Sequence, residues 1–232
     1  MGGQVAELLV TNPAAVRIRA TEDVDVIVKV ATRTEYHRFG ERLRALGFRE
    51  DSSPGAPLCR WRDPDDLPLD VMPLDAAILG FTNRWYEEAL RSATRSALVP
   101  GLYLRIPSAP AFLATKWAAF DGRGGGVYLG NADVEDIVTV VAGRAELTAE
   151  TAAAPAVLRA WLAGRTAEFL RRDEAADVSP GRCRMRGPRL TWRPRFGGAS
   201  RRSRGANRDQ WRKWPGAGPT RPDVSIPPAR FA

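Results

Sequence analysis

Hydrophobic and polar positions divide the chain into short elements with two different periods. Gln4-Val5-Ala6-Glu7-Leu8-Leu9 predicts a short helix behind Gly2-Gly3, and Thr11 to Ala20 predicts a loop around Asn12-Pro13. Asp23 to Val30 alternates and then becomes apolar, which predicts a strand. From Thr34 to Leu46 the residues Tyr36, Phe39, Leu43 and Leu46 recur at helical spacing with basic residues between them. This predicts an amphipathic helix with Thr34 as N-cap and Gly47 as the stop. Phe48-Arg49-Glu50 reads as extended, and Asp51 to Pro57 as a polar turn. Leu58–Arg62 and Leu67–Met72 flank the turn Asp63–Asp66 and predict a hairpin.

The second half is mostly helical in pattern. Asp75–Gly80 predicts a short helix. Asn83–Thr94 predicts another, with Trp85, Tyr86, Ala89 and Leu90 on one side as core. Leu98–Ile106 holds two short strands around Pro100-Gly101. Pro110–Phe120 predicts a helix carrying Lys116 and Trp117, and Gly122–Gly126 a glycine-rich loop. Ala132–Val141 predicts a helix whose early acids, Asp133, Glu135 and Asp136, suit a helix N-terminus. Ala152–Arg171 predicts a longer helical region interrupted at Pro155. From Asp173 onward arginine, glycine, proline, serine and tryptophan alternate without a period, and that stretch is expected to be disordered.

Composition changes this picture in one respect. The chain has 232 residues and a formal charge of +8. Residues 173–232 hold 14 Lys and Arg against 5 Asp and Glu, which leaves 21 basic against 22 acidic residues before them. The basic character therefore belongs to the tail, and the expected folded part is not a strongly basic nucleic-acid binder. No apolar run approaches the roughly 20 residues of a membrane-spanning helix. Two cysteines and one histidine support neither a disulfide framework nor a zinc site. With no signal-peptide pattern, a cytoplasmic location without membrane partners is expected.

The candidate chemistry lies in carboxylates. Asp23 and Asp25 are two apart, so on an extended backbone they point to one side. Asp70 lies in the strand Leu67–Met72. If the two strands pair, three carboxylates share a patch. Unit charges about 4 Å apart repel by roughly 4 kcal/mol at an effective dielectric near 20. Such a patch needs a proton or a divalent cation, and oxygen ligands favour a hard ion, Mg2+ above all. The blander readings are a surface strand with polar ends for Asp23 and Asp25, a snorkelling lysine for Lys116, and dipole-favouring acids for Asp133 and Asp136. Gly2-Gly3 suits either a flexible N-terminus or a close backbone approach to a ligand.

Taken in order, these residues resemble a known family. Arg19-Ala20-Thr21-Glu22-Asp23-Val24-Asp25, preceded by Gly2-Gly3 and followed by Asp70, is similar to the signature of nucleotidyltransferase-fold proteins of the AbiEii/MenT type, the toxins of type IV toxin–antitoxin systems. Leu113–Phe120 with Arg123-Gly124 resembles that family's lysine helix, and Asp133–Val138 its later acidic helix start. The resemblance covers Gly2 to about Arg171. It implies an α+β, polymerase-beta-like nucleotidyltransferase fold: a small mixed sheet with flanking helices over residues 1–107, a helical lobe over 108–172 that completes the site, and the basic tail 173–232.

The resemblance also implies roles. Asp23, Asp25 and Asp70 would hold Mg2+, two ions being expected, and Asp70 would help deprotonate the acceptor hydroxyl. Gly2 and Gly3 would meet the phosphates of an NTP by backbone, Lys116 would meet a phosphate as a point charge, and Asp136, with Asp133, would orient Lys116 or the acceptor. The implied activity is transfer of a nucleotide from an NTP to an RNA hydroxyl, such as a tRNA 3′ end, by a toxin with a cognate antitoxin. Relatives of this type carry a helix and a strand ahead of the Gly-Gly, and this sequence begins at it. Two alternatives stay open: a catalytically impaired nucleotidyltransferase-like protein that binds nucleic acid through its tail, and an enzyme that modifies a small molecule such as an aminoglycoside.

Overall fold

In a computed structural model, residues 2–12, 21, 23–124 and 126–178 are described. The Arg19, Ala20 and Glu22 of the family-like stretch, Gly125, and the tail from residue 179 lie outside the described residues. The chain divides into two compact units, Met1–Ser96 with Arg105–Trp192, and Ala97–Leu104 with Arg193–Ala232. The carboxylates and the helical half lie in the first.

Its centre is a four-stranded sheet of mixed direction. Strands β1 (Val24–Val28), β2 (Arg49–Glu50), β3 (Arg60–Arg62) and β4 (Pro68–Pro73) are arranged in the order β1-β4-β3-β2. β1 runs parallel to β4, while β4–β3 and β3–β2 are antiparallel. The expected hairpin is thus β3–β4, and β1 reaches β4 only by a crossover that includes α2 (Arg33–Ala45). Parallel neighbours require such a crossover.

Alternation gives the sheet two different faces. Val26, Val28, Trp61, Leu69 and Val71 point one way, and α2 covers them with Tyr36, Phe39 and Leu43. The Tyr36 hydroxyl donates to the Val71 carbonyl oxygen at 2.9 Å, which pins helix to strand. The helix begins two residues earlier than its apolar pattern suggests. The Thr32 hydroxyl accepts from the Glu35 N–H at 3.1 Å, and the Glu35 carboxylate accepts from the Ala31 N–H at 2.6 Å. This pair of caps, a capping-box variant in which Glu35 reaches the N–H of the residue before the N-cap, displaces the expected cap at Thr34.

The other face carries Asp25, Ile27, Arg60, Asp70 and Met72, and Ile27 packs against the larger core. That core is built by α1 (Gly3–Leu9), α4 (Tyr86–Arg91), α5 (Ala109–Gly122), α6 (Ala132–Gly143) and α8 (Ala156–Leu170), with α3 (Ala76–Leu79) beside β4 and α7 (Leu147–Ala153) beside α5. α5 is apolar nearly all round and is buried along most of its length, as a central helix must be. α8 packs Phe169 against Trp117, with ring centroids 5.3 Å apart and planes tilted by 52°, and lays Arg165 over the Trp117 ring at 4.3 Å. Pro155 separates α7 from α8, as expected from its missing N–H.

Two expectations are corrected. The helix expected over Asn83–Thr94 is confined to Tyr86–Arg91, and Thr94 opens a strand. β5 (Thr94–Val99) and β6 (Leu102–Ile106) form a two-stranded sheet that turns at Pro100-Gly101, where Gly101 has φ 85°. The disorder expected from Asp173 does not hold for Ala175–Val178, which forms a short helix, α9, whose Val178 is buried in the main core. Burial of one apolar side chain holds this turn in a stretch whose composition is otherwise polar. Among the described residues, no helix is long and apolar enough to cross a membrane.

Candidate metal and ion-pair centre

β1 and β4 bring the three carboxylates together. Asp25 and Asp70 are register partners across the parallel ladder, and Asp23 is two residues before Asp25 on the same side. One oxygen from each of Asp23, Asp25 and Asp70 lies within 4.8 Å of the others. Asp23 is partly exposed, and its Oδ1 accepts from the Thr21 hydroxyl at 2.9 Å. Asp70 is only 7% exposed. Burial pushes the Asp25 carboxyl above its ordinary value, the Lys116 ammonium pulls it back, and Asp23 and Asp70 push it up again.

Gly2 lies against this patch. Gly2 and Gly3 are buried at the start of α1. A Cβ on Gly2 would stand 2.7 Å from Asp25 Oδ2, closer than any side chain tolerates. α1 is held there by Ala6 and Leu9 in the core and by Arg144, which donates to the Leu9 carbonyl oxygen at 2.7 Å. α1 docks on α6.

A second charged group sits in the helical half. Lys116 from α5 is 9% exposed, and its Nζ lies 2.7 Å from Asp136 Oδ2 and 3.3 Å from Asp133 Oδ1. Asp133 also takes Arg123 Nη2 at 2.6 Å. Both acids sit in the first turn or so of α6, which Asn131 caps by accepting from the N–H groups of Asp133 and Val134. Lys116 is thus a buried, doubly paired cation. Charges this deep are normally paired in this way.

Two participants were not singled out in the sequence. Arg60 forks Asp70: Nε donates to Oδ1 and Nη2 to Oδ2, each at 2.8 Å. The same Nη2 stands 3.6 Å from Asp23 Oδ2. Asp70 holds the guanidinium well above its ordinary range of protonation. Tyr86, expected as plain core, points its hydroxyl at Met72 Sδ, 2.7 Å away. Burial first, and then the Asp25 charge, raise its phenol well above the ordinary value. Only Arg60 had a signal to find: it faces Asp70 ten residues away in a predicted hairpin, but choosing it over Arg62 requires the register. A cavity of about 210 Å³ lies elsewhere, on the α2 face, lined by Arg33, Tyr36, His37 and Trp61 among others, and includes none of the three acids.

The donor set suits a hard divalent cation. Two oxygens on one Mg2+ stand at most about 4.2 Å apart, and on one Ca2+ up to about 5 Å. A separation within 4.8 Å brings the three oxygens near bridging range, and side-chain rotation would draw them closer around Mg2+. Compared with known proteins, the chain matches no family model and no curated protein.

Proposed function

We propose that this protein is a Mg2+-dependent nucleotidyltransferase of the AbiEii/MenT type, with a polymerase-beta-like fold, that moves a nucleotide from an NTP to an acceptor hydroxyl. The observation that carries the reading is the convergence of Asp23, Asp25 and Asp70 from adjacent parallel strands, with the buried Lys116–Asp136 pair near enough to act on Asp25. Nucleotidyl transfer requires in-line positioning and neutralisation of charge rather than a covalent partner, and this is what such a constellation supplies.

Asp23, Asp25 and Asp70 would hold the metal, two Mg2+ ions in the full reading. Bound there, Mg2+ would neutralise the triphosphate and polarise the phosphorus under attack. Lys116, paired with Asp136 and Asp133, would contribute a positive charge that acts on Asp25. The backbone of Gly2, which lies against Asp25, and of Gly3 after it would meet the phosphates. Asp70 would take the proton from the acceptor hydroxyl.

RNA, a tRNA 3′ end among the candidates, is the favoured acceptor, because the tail's 14 basic residues suit phosphate contacts. A role as a toxin held in check by a cognate antitoxin follows from the same resemblance. The test is incubation of the full chain with each labelled NTP, Mg2+ and total RNA, beside Asp25→Asn. Label in RNA from wild type and none from the variant supports the reading. No transfer with any nucleotide, or equal transfer by the variant, removes it. Transfer to an aminoglycoside but not to RNA would move the assignment to a small-molecule enzyme.

A further inference from the structure

We infer that Arg60 is a built-in counter-ion that competes with the divalent cation for Asp70 and Asp23, so that metal binding and release of the Asp70 carboxylate are one coupled event. The inference rests on the metal reading of the preceding subsection and goes beyond it by naming the residue that sets metal affinity.

Three observations carry it. First, both Asp70 oxygens accept from Arg60, in a bidentate fork with 2.8 Å on each arm. A carboxylate so engaged is a poor proton acceptor, and part of its lone-pair density is withdrawn from any other ligand. Second, Nη2 occupies the edge of the site itself. It lies 2.8 Å from Asp70 Oδ2 and 3.6 Å from Asp23 Oδ2, two of the residues whose oxygens define the candidate ion position. An ion drawn to that edge and the guanidinium would repel each other at close range. Third, the charges are unequal: Arg60 brings one positive charge against the carboxylates of Asp23, Asp25 and Asp70, and Lys116, whose charge reaches Asp25, is itself paired with Asp133 and Asp136. A monovalent guanidinium therefore holds the patch together without neutralising it, and a divalent ion does better at the same oxygens.

The route of exchange is open. The Arg60 side chain is 24% exposed, against 10% for that of Asp70, so the long cation can swing to solvent while the short acid stays in place. The opposing possibility is that Arg60 stays and merely aims Asp70 at the ion, as hydrogen-bonded supports of metal ligands commonly do. The two differ in sign. Removing a competitor strengthens metal binding, and removing a support weakens it.

The experiment is Mn2+ binding to the full chain by calorimetry, with the spectrum of free Mn2+ as a second readout, for wild type, Arg60→Gln and Arg60→Lys. Arg60→Gln is expected to bind roughly tenfold tighter, ~1.4 kcal/mol, and to gain more thermal stability from saturating Mn2+ than wild type gains. The Arg60 Nε–H resonance of wild type should shift or broaden as Mg2+ is added. Saturable binding by Arg60→Gln with none by wild type also supports the inference, in its strongest form. If wild type binds and Arg60→Gln binds equally or more weakly, Arg60 is a support and the inference is overturned while the metal reading stands. If neither binds, both fall. If circular dichroism finds Arg60→Gln unfolded, Arg60→Lys decides in its place: it keeps the charge but cannot fork Asp70, and binding no tighter than wild type overturns the inference.

Discussion

Asp25 on β1 and Asp70 on β4 are directly paired across a parallel ladder, so two acidic side chains leave neighbouring backbones toward the same side. Adjacent strands lie about 4.8 Å apart, so this pairing puts the acids within reach of one another, and their rotamers bring one oxygen of each within 4.8 Å. Their surroundings differ. Asp70 is satisfied by the Arg60 fork, whereas burial pushes Asp25 toward its neutral form.

That difference predicts opposite effects of one substitution. In metal-free buffer at neutral pH, Asp70→Asn should lower stability by about 1–3 kcal/mol, since it breaks a charge-assisted fork in a buried position. Asp25→Asn should leave stability unchanged or raise it. A raised carboxyl pKa means that the folded state loses stability as pH rises through it, and the amide removes that loss. Thermal unfolding in EDTA reads both. A larger loss for Asp25→Asn than for Asp70→Asn would contradict the assignment.

The ion pair between Lys116 and Asp136 should behave as a buried unit. Lys116→Met leaves Asp136 and half of Asp133 uncompensated and should cost about 3–5 kcal/mol. In the double variant with Asp136→Leu much of that loss should return, because the two groups share one interaction. Denaturant unfolding of the four proteins in the cycle measures the coupling, and additive losses would show that the pair is not coupled. The nucleotidyl transfer proposed above should fall in Lys116→Met and not return in the double variant.

Gly2→Ala tests the close approach at the N-terminus. Its Cβ would meet Asp25 Oδ2 at 2.7 Å, so the carboxylate must rotate. Little stability should be lost, because a side-chain end moves rather than backbone. Mn2+ affinity should drop by about tenfold or more. Calorimetry on wild type and variant decides it, and unchanged affinity would mean that Asp25 takes no part in metal binding.

Asp51 should account for part of the acid sensitivity. Hydrogen bonds from Ser53, and then from the Arg62 guanidinium, hold its carboxyl well below the usual carboxylate range. A lowered pKa contributes stability that is complete above the unfolded value of 3.8 and is lost as pH falls below it. Asp51→Asn should therefore be less stable at pH 7 and show a flatter decline between about pH 4 and pH 2. A circular-dichroism titration with parallel curves for the two proteins would rule this out.

Cys59 should be chemically silent in the folded state. It is buried, and burial, with the Asp70 charge, pushes its thiol up to about 11. In Cys183→Ser protein a disulfide reagent at pH 8 should react only at the rate of unfolding, since little thiolate forms and access is closed. Rapid labelling without denaturant would show that the β3–β4 region opens.

By itself the sequence determined most of the elements and which acidic side chains share a face. The two-residue spacing of Asp23 and Asp25 settles that they share a face, the apolar spacing of Tyr36, Phe39 and Leu43 settles which side of α2 is buried, and Pro155 settles where a helix must break. These are local consequences of period and backbone chemistry, and they need no partner strand. Tertiary structure alone decided which acid meets which cation. Arg60 rather than Arg62 meets Asp70 because the hairpin turn, in which Asp66 takes φ 69° and Asp63 accepts from the N–H groups of Asp65 and Leu67, sets the β3–β4 register. A slip of one residue would send every side chain to the opposite face. The pairing of Asp25 with Asp70 depends further on a crossover through α2, β2 and β3, and the placement of Lys116 on how α5 packs against α6. Pairings across such distances follow from how whole elements stack, which no window of sequence contains.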